Sequence, residues 1–396
     1  MRFAERMSRL GTENAFEVFN RAKKLEAQGK QIVHLELGEP DFATPAHVIA
    51  TAKQAMDDGW THYNPPQGLP QLREAIAEEV ASSRGIAVSP EEVVVEPGAK
   101  PIIFYTMLAL IEPGDEVIYP NPGFPIYESV VNFIGAKPVP LPFSDTKDGF
   151  RLDMNRLADL ITDRTRMVVL NSPHNPTGSA MPPEDVETVA KLIGNRDIMV
   201  LSDEIYHRIL YKGVHTSISA LPGMRERTII LDGFSKTYAM TGWRLGYGVM
   251  PRELALAVTR LGINNHSCTA AFSQVAAVSA LRGPQTDADH MIAEFRRRRD
   301  FIVAALNRIP GFQCHEPEGA FYVFPSIKGT GRSSQELAHF LLEDAGVAGL
   351  SGAAFGQYGE GYLRFSYANS IENIGRAMEK IEAALVGQAS LPAALP

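Results

Sequence analysis

Short apolar runs recur through the middle of the chain, and a polar residue follows each of them. The clearest are Val93–Val95, Met167–Leu170 and Ile198–Leu201. Continuous apolar runs of this length predict strands that are buried on both faces of a sheet. Helical patterns separate the runs, so strands and helices alternate from about residue 92 to residue 248. The alternation predicts an α/β fold with a mostly parallel sheet that carries helices on both faces.

From about Pro251 the pattern turns mainly helical. The longest helix is predicted over residues 286–309, and it contains four consecutive arginines, Arg296–Arg299. On an amphipathic helix of an acidic protein, such a run predicts a solvated face rather than a nucleic-acid site.

Strand character returns near the end of the chain. Residues 319–324 and 362–367 predict strands, and residues 371–385 predict a closing helix. With the helices before them, these segments predict a smaller α+β domain that the N-terminal segment joins in space. Residues 387–396 predict a frayed tail.

The composition is that of an ordinary soluble globular protein. Of its 396 residues, 45% are hydrophobic and 21% are charged, which is enough for two domains with a sizeable core. A formal net charge of -8 argues against nucleic acid or an anionic membrane as a partner. The two cysteines, Cys268 and Cys314, fit neither a disulfide framework nor a metal site, so we expect reduced thiols in a cytoplasm and no metal. The first ten residues are too charged for a signal peptide, and no apolar run approaches transmembrane length.

Ser235, Lys236 and Arg244 carry the most informative chemistry of the chain. A lysine amine forms a Schiff base with an aldehyde, and the planar fork of a nearby arginine binds a phosphate. Pyridoxal phosphate offers both groups. An isolated lysine of this kind is far more often a solvated surface charge, so the prediction depends on the motifs elsewhere in the chain.

Polar residues follow two of the predicted strands directly. Asp203 comes after Ile198–Leu201, and in an open α/β sheet the carboxyl ends of the strands are where ligands bind. A carboxylate there could keep a proton on the pyridine nitrogen of the cofactor; the alternative is a cap for a following helix.

Asn171–Gly178 is a proline-rich turn, and an asparagine on it, together with Tyr206, could hydrogen-bond the phenolic oxygen of the cofactor. The alternative for this turn is an ordinary strand-to-helix loop.

A third junction lies after Val93–Val95. Gly98 and Ala99 are small residues between this strand and a predicted helix, so backbone amides at the positive end of that helix are exposed to an anion. Lys100 could add charge to the same phosphate region or face the substrate. The alternative is a solvated lysine in the first turn.

Together these motifs resemble the fold-type I pyridoxal-phosphate enzymes of the class I/II aminotransferase family. The resemblance covers nearly the whole chain and follows the family's order through residues 37–42, 61–64, 122–127, 175–178, 202–206, 235–236 with Arg244, and 363–366. It implies a mostly parallel sheet of the seven-stranded type in a large cofactor-binding domain, residues 47–284. Residues 1–46 and 285–396 would form the small domain.

The resemblance also implies roles around the cofactor ring. Lys236 would bind the aldehyde and later move a proton at the substrate α-carbon. Asp203 would pair with the pyridine nitrogen, Asn175 and Tyr206 would hydrogen-bond the phenolic oxygen, and Phe124 would stack on the ring. Many aspartate-type relatives have tryptophan where this chain has Phe124, so the resemblance leaves the donor side chain open.

At the phosphate, the resemblance implies a shared site. Arg244, Ser235 and the turn Gly98–Lys100 would bind the phosphate, and Tyr63 would reach it from a second subunit, which implies a homodimer. The chain departs from many relatives here, because Gly98 and Ala99 carry no hydroxyl and Gly233 replaces a serine.

For the substrate, the resemblance implies that Arg364 binds the α-carboxylate through a bidentate pair, helped by Asn175 and the backbone of Gly38. Without the resemblance, Arg364 would be interpreted as a surface ion pair. A distal carboxylate could find Lys100, whereas Phe124, Tyr322 and Phe355 could line an apolar pocket instead.

The predicted function is therefore the transfer of an amino group from an L-amino acid, for example one of aspartate or glutamate type, to a 2-oxo acid such as 2-oxoglutarate, by a ping-pong mechanism. The alternative is a C–S β-lyase of the same fold, which would need the same Lys236, Asp203 and Arg364. A non-enzymatic regulatory protein is disfavoured because Lys236 is retained, and a nicotinamide dehydrogenase because no Gly-x-Gly-x-x-Gly turn follows a strand.

Overall fold

The structure, a computed structural model, describes residues 1–389. Its strands are β1 (Val33–His34), β2 (Val93–Glu96), β3 (Glu116–Asn121), β4 (Lys137–Thr146), β5 (Gly149–Leu152), β6 (Thr165–Asn171), β7 (Met199–Asp203), β8 (Thr228–Gly233), β9 (Gly246–Val249), β10 (Tyr322–Val323), β11 (Val347–Ala348), β12 (Leu350–Ser351) and β13 (Leu363–Ser366). Its α-helices are α1 (Asn14–Ala27), α2 (Ala46–Asp57), α3 (Pro70–Arg84), α4 (Lys100–Leu110), α5 (Ile126–Ile134), α6 (Met154–Leu160), α7 (Pro183–Ile193), α8 (Arg252–Asn265), α9 (Ala271–Arg282), α10 (Thr286–Leu306), α11 (Ser334–Phe340) and α12 (Ile371–Ala389). The predicted tail, residues 387–396, begins inside α12 and otherwise lies outside the described residues.

One sheet of eight strands organises the fold, in the order β2-β9-β8-β7-β6-β3-β4-β5. Its central strands β4, β3, β6, β7 and β8 are parallel, and β9, β2 and β5 are antiparallel to their neighbours. The predicted α/β class is confirmed, and the hairpin strand β5 brings the sheet to eight strands. The apolar runs form the interior of this sheet because their β-branched side chains are buried on both faces; Val94, Val169 and Val200 have no exposed surface.

The strand register brings the predicted polar residues to one edge. Asn171 and Asp203 are direct Cα partners at the ends of β6 and β7, and Asp203 is also paired with Leu231 of β8. Lys236 follows three residues after the end of β8. Parallel strands end on the same side of a sheet, so residues from three separate motifs meet there.

The C-terminal part contains two smaller sheets. Strand β1 pairs with β11 in parallel, and β10, β13 and β12 form an antiparallel sheet. The strand predicted over residues 319–324 is reduced to β10, because Gly319 and Ala320 pair with residues 210 and 209 of a loop instead. The pairing of β1 with β11 joins the N-terminal segment to this region, and the domain bounds at residues 46 and 284 stay a prediction.

Only the first half of the arginine run on α10 is a solvated face: Arg296 and Arg297 are exposed, whereas the next two arginines are buried. Arg298 and Arg299 are only 6% and 7% exposed. Arg298 pairs with Asp41 at 2.6 Å and lies over the ring of Phe42, while Arg299 donates to the Pro317 carbonyl at 3.1 Å. The prediction is wrong for these two because four consecutive positions span a full helical turn, so some of them must face the protein.

Cys314 is buried, which raises its thiol pKa, and Cys268 is half-buried; both are free thiols. No helix within residues 1–389 is both long enough and apolar enough to cross a membrane.

Candidate active site

A cavity of about 560 Å³ opens at the carboxyl edge of β6, β7 and β8. The N-terminal segment, the loops after these strands and residues around β10 and β13 form its walls. All predicted site residues except Gly98 and Tyr63 line it: Gly38, Ala99, Lys100, Phe124, Asn175, Asp203, Tyr206, Ser235, Lys236, Arg244 and Arg364.

Lys236 projects into the cavity, and its Nζ donates a hydrogen bond to the Gly38 carbonyl. Burial lowers the pKa of Lys236 to about 8, and the negative charges of Glu13 and Glu39 oppose this shift. The uncharged fraction of the amine near neutral pH is therefore far larger than for an ordinary lysine, about a tenth at pH 7. An uncharged amine is the form that attacks an aldehyde or accepts a proton.

Asp203 forms the floor of the cavity and is 5% exposed. The Tyr127 hydroxyl donates to its Oδ2 at 2.6 Å, and the Ile205 amide donates to its Oδ1 at 3.3 Å. Burial raises the pKa of Asp203 to about 6 in spite of these two donors. The residues after Asp203 form a turn, so the helix-cap alternative does not hold. A buried carboxylate of this kind gains from a cationic partner such as a protonated ring nitrogen.

Arg364 projects from β13 and is 4% exposed, which excludes the surface ion pair. Its Nη1 donates to Asn175 Oδ1 at 3.2 Å, and its Nη2 donates to the Glu36 carbonyl. Within the described residues, its buried Nε has no hydrogen-bond partner. Burial lowers the pKa of Arg364. The guanidinium is thus held in place with unused donor capacity, which suits an incoming carboxylate.

Two tyrosines lie between Lys236 and Arg364. The hydroxyls of Tyr206 and Tyr322 are 2.7 Å apart, and burial raises the pKa of both. The Tyr322 ring also lies 4.6 Å from the Arg364 guanidinium. A Cβ at position 38 would overlap the Tyr322 hydroxyl, so only glycine fits there.

The opposite end of the cavity suits an anion. Helix α4 begins at Lys100, and Ala99 caps it without a side-chain hydrogen bond. Gly98 has φ +94°, and a side chain there would collide with the Arg244 guanidinium. Arg244 donates to the Thr241 carbonyl at 2.8 Å and lies exposed beside this turn. A helix N-terminus next to a guanidinium is a favourable phosphate site even without a hydroxyl in the loop.

The structure separates Tyr63 from this group. Its side chain is 90% exposed and does not line the cavity of its own chain. Phe124 is half-buried at the cavity wall, edge-on to Tyr127, and Lys100 Nζ lies 5.4 Å from its ring.

Sequence reasoning missed Tyr127 and Glu13, and it gave Tyr322 only an apolar role. Tyr127 and Tyr322 hydrogen-bond residues of the cavity, and Glu13 forms an ion pair with Lys100 at 2.8 Å. Tyr127 stands in the proline-rich segment 122–127, which is a weak signal. The sequence around Glu13 gives no indication of a role in the site, because no pattern there predicts that the N-terminal segment contacts α4.

Known proteins share this architecture. The family model described as Aminotransferase class I and II matches residues 30–381. An aspartate aminotransferase from Pyrococcus horikoshii is 41% identical over 97% of this chain and 97% of that protein. Aromatic-amino-acid aminotransferase 2 from Thermococcus litoralis is 38% identical over 97% of this chain and 98% of that protein. A solved structure of an alanine aminotransferase from Pyrococcus furiosus is 33% identical with a TM-score of 0.92, over 98% of this chain and 100% of that chain.

The chain therefore belongs to the class I and II aminotransferases, the class that its parallel sheet and its cavity define. It is an amino acid transaminase, a family that generally depends on pyridoxal 5′-phosphate. The predicted family and reaction type are confirmed, and none of the three names favours the C–S β-lyase.

Proposed function

We propose that this chain moves the amino group of an L-amino acid to a 2-oxo acid such as 2-oxoglutarate, with pyridoxal 5′-phosphate held in the cavity. One observation carries the assignment. Lys236, Asp203 and Arg364 come from three separate segments, and all of them face the same cavity. An amine, a buried acid and a buried guanidinium are the groups that an aldehyde, a pyridine nitrogen and an α-carboxylate require.

The cavity has a partner for each end of the cofactor. Asp203 would hold the pyridine nitrogen, since burial leaves its carboxylate in need of a positive partner. Asn175 and Tyr206 would hold the phenolic oxygen, and Phe124 would cover one face of the ring. The phosphate would lie at the α4 N-terminus, within reach of Ser235, Arg244 and the backbone amides of the turn Gly98–Lys100, while the Lys100 side chain pairs with Glu13.

The bound cofactor supplies an aldehyde that captures amines and a protonated ring that withdraws electrons from the substrate α-carbon. The protein supplies the rest. Arg364 and Asn175 hold the α-carboxylate and so orient the bond from the α-carbon to its hydrogen. The pKa of Lys236 is lowered to about 8, so its Nζ reaches the uncharged form more readily than an ordinary lysine does; in that form it would take the proton from the α-carbon and would later deliver a proton to the cofactor. The hydrogen bond between the Tyr206 and Tyr322 hydroxyls would keep Tyr206 in position beside the phenolic oxygen of the cofactor.

The proposal includes a homodimer. Tyr63 is large and 90% exposed on the single chain, where a second copy would bury it against the phosphate region. Replacing Tyr63 with Phe should weaken phosphate binding without unfolding the protein, measured as the Kd for the cofactor. A monomer in sedimentation experiments, with unaltered cofactor affinity in this variant, would contradict the shared site.

We also propose the cytoplasm as the compartment, supported by the two free thiols.

The first experiment is the absorption spectrum of the purified protein with a panel of L-amino acids and no acceptor. The visible band of the bound cofactor should give way to the near-ultraviolet band of pyridoxamine phosphate, and 2-oxoglutarate should restore it. Recovery of the visible band without acceptor, with accumulation of pyruvate, would favour the lyase. The Lys236→Ala variant should bind the cofactor without covalent capture, which distinguishes the role of Lys236 from the integrity of the cavity.

A further inference from the structure

An ion pair that is partly exposed to solvent lies in the wall of the cavity. Glu13 Oε1 and Lys100 Nζ are 2.8 Å apart, and their side chains are 15% and 46% exposed. Both residues line the cavity. The pair is therefore part of the wall that a donor side chain contacts.

The segment that carries Glu13 is held in place on both sides. The Gly11 amide donates to Ser129 Oγ on α5 at 2.9 Å, and Ser129 Oγ donates back to the Gly11 carbonyl at 3.2 Å. Helix α1 begins immediately after Glu13, at Asn14. Glu13 makes no capping hydrogen bond to this helix, so its carboxylate is directed to Lys100 instead.

Each of the other cationic side chains at the cavity already has a proposed partner. Lys236 captures the cofactor, Arg244 faces its phosphate, and Arg364 binds the α-carboxylate. Among the described cavity residues, Lys100 is the remaining cation for a second substrate carboxylate. The Glu13 carboxylate already forms an ion pair with this ammonium group.

We propose that Glu13 is a specificity-determining residue that disfavours dicarboxylic donors and favours amino acids with uncharged side chains. This inference rests on the proposed function. A distal carboxylate would have to displace Glu13 from Lys100 or share the ammonium with it, and two carboxylates around one cation repel each other. An uncharged side chain leaves the pair intact and can pack against Phe124, Tyr322 and Phe355, which line the same cavity.

The test compares Glu13→Gln with Glu39→Gln in the holoenzyme. Glu39 also lines the cavity and raises the pKa of Lys236, but its carboxylate accepts a hydrogen bond from Thr241. The two variants therefore remove the same charge from the same cavity, and only one of them frees Lys100. The readouts are the Kd values of succinate and of 3-phenylpropionate from the spectral shift of the bound cofactor, and kcat/KM for aspartate, alanine and phenylalanine.

Glu13→Gln should improve succinate binding and kcat/KM for aspartate about fivefold relative to the uncharged ligands, the size expected for a partly exposed ion pair. Glu39→Gln should leave these ratios unchanged. In a Lys100→Met background, Glu13→Gln should lose its selective effect. That background has no ammonium group at position 100 that the substitution could release from its ion pair.

Equal effects of Glu13→Gln on charged and uncharged ligands would overturn the proposal, as would a selective effect that persists in the Lys100→Met background. The unmodified enzyme gives an independent test, since a higher kcat/KM for aspartate than for alanine and phenylalanine would also overturn it. A failure of the proposed function would look different, because no amino acid would then convert the visible band.

Discussion

The floor and the mouth of the cavity are built in different ways. The floor consists of the ends of adjacent strands, where Asp203 lines the cavity, and Asp203 and the neighbouring Glu204 and Asp232 are at most 5% exposed. The mouth consists of the Glu13–Lys100 pair, which joins two segments that are far apart in the chain and stays partly in water. Relatives named for aspartate, aromatic amino acids and alanine share this architecture. The difference is consistent with the proposal above, in which the buried floor serves the reaction and the partly exposed Glu13–Lys100 pair selects the donor.

The floor rests on a buried charge network. Arg84 bridges Glu204 at 2.9 Å and Asp232 at 2.7 Å, and His207 lies 3.0 Å from Asp232. Burial alone would raise the pKa of Glu204, but the charges of His215 and Arg84 hold it below its usual range. Because Glu204 follows Asp203 and Asp232 lies on the strand that leads to Lys236, the network positions both residues.

The largest expected effect comes from breaking this network. Arg84→Met would leave two buried carboxylates without their shared cation, so the free energy of unfolding should fall by about 3–5 kcal/mol. Urea denaturation measures this free energy of unfolding. Arg282→Met is the matched control, because Arg282 pairs with Glu78 in water and its removal should cost less than about 1 kcal/mol. Equal losses in the two variants would remove the distinction between a buried floor and an exposed surface pair.

Arg364→Lys tests the substrate side of the cavity. Lysine keeps the charge but cannot reproduce the planar fork, so kcat/KM should fall about 10- to 100-fold, mainly through KM. Steady-state kinetics with an amino acid and with the corresponding amine that lacks the carboxylate separate the causes. A similar loss for both compounds would show that Arg364 acts on the fold rather than on the carboxylate.

The pH dependence of cofactor capture tests Lys236, which lies between floor and mouth. Its pKa is lowered to about 8, so the amine is protonated and unreactive below that pH and uncharged above it. The rate of covalent capture by the apoprotein should rise about tenfold from pH 6 to pH 7 and level off above pH 8. Glu13→Gln should lower the midpoint, since the charge of Glu13 raises the pKa of Lys236. A midpoint near pH 10 would contradict the burial argument.

The smallest effect is expected at the hydroxyl pair between floor and mouth. Tyr322→Phe removes one neutral hydrogen bond to Tyr206 and should lower kcat about fivefold. Tyr367→Phe is the control, because Tyr367 hydrogen-bonds Tyr211 in a second buried pair that does not line the cavity. Identical kinetic losses in both variants would assign the effect to packing.

Local pattern predicted the strands well and their contacts poorly. The ends of β2, β6 and β7 lie within one or two residues of the ends of the apolar runs. The prediction works because a strand that is buried on both faces of a sheet requires a continuous run of apolar residues. The interpretation of Arg296–Arg299 as a solvated face was wrong for Arg298 and Arg299, since their partners Asp41 and Pro317 lie in loops that a helical pattern does not reveal.

By itself, the sequence determined the α/β class, the order of the motifs and the residue types that serve an aldehyde, a phosphate and a carboxylate, because these depend on periodicity and on chemistry within short segments. Only the tertiary structure decided that Tyr127 donates to Asp203, that Arg84 supports the floor and that Glu13 occupies Lys100. Each of these contacts joins side chains that are distant in sequence, and no local pattern specifies which elements fold against one another.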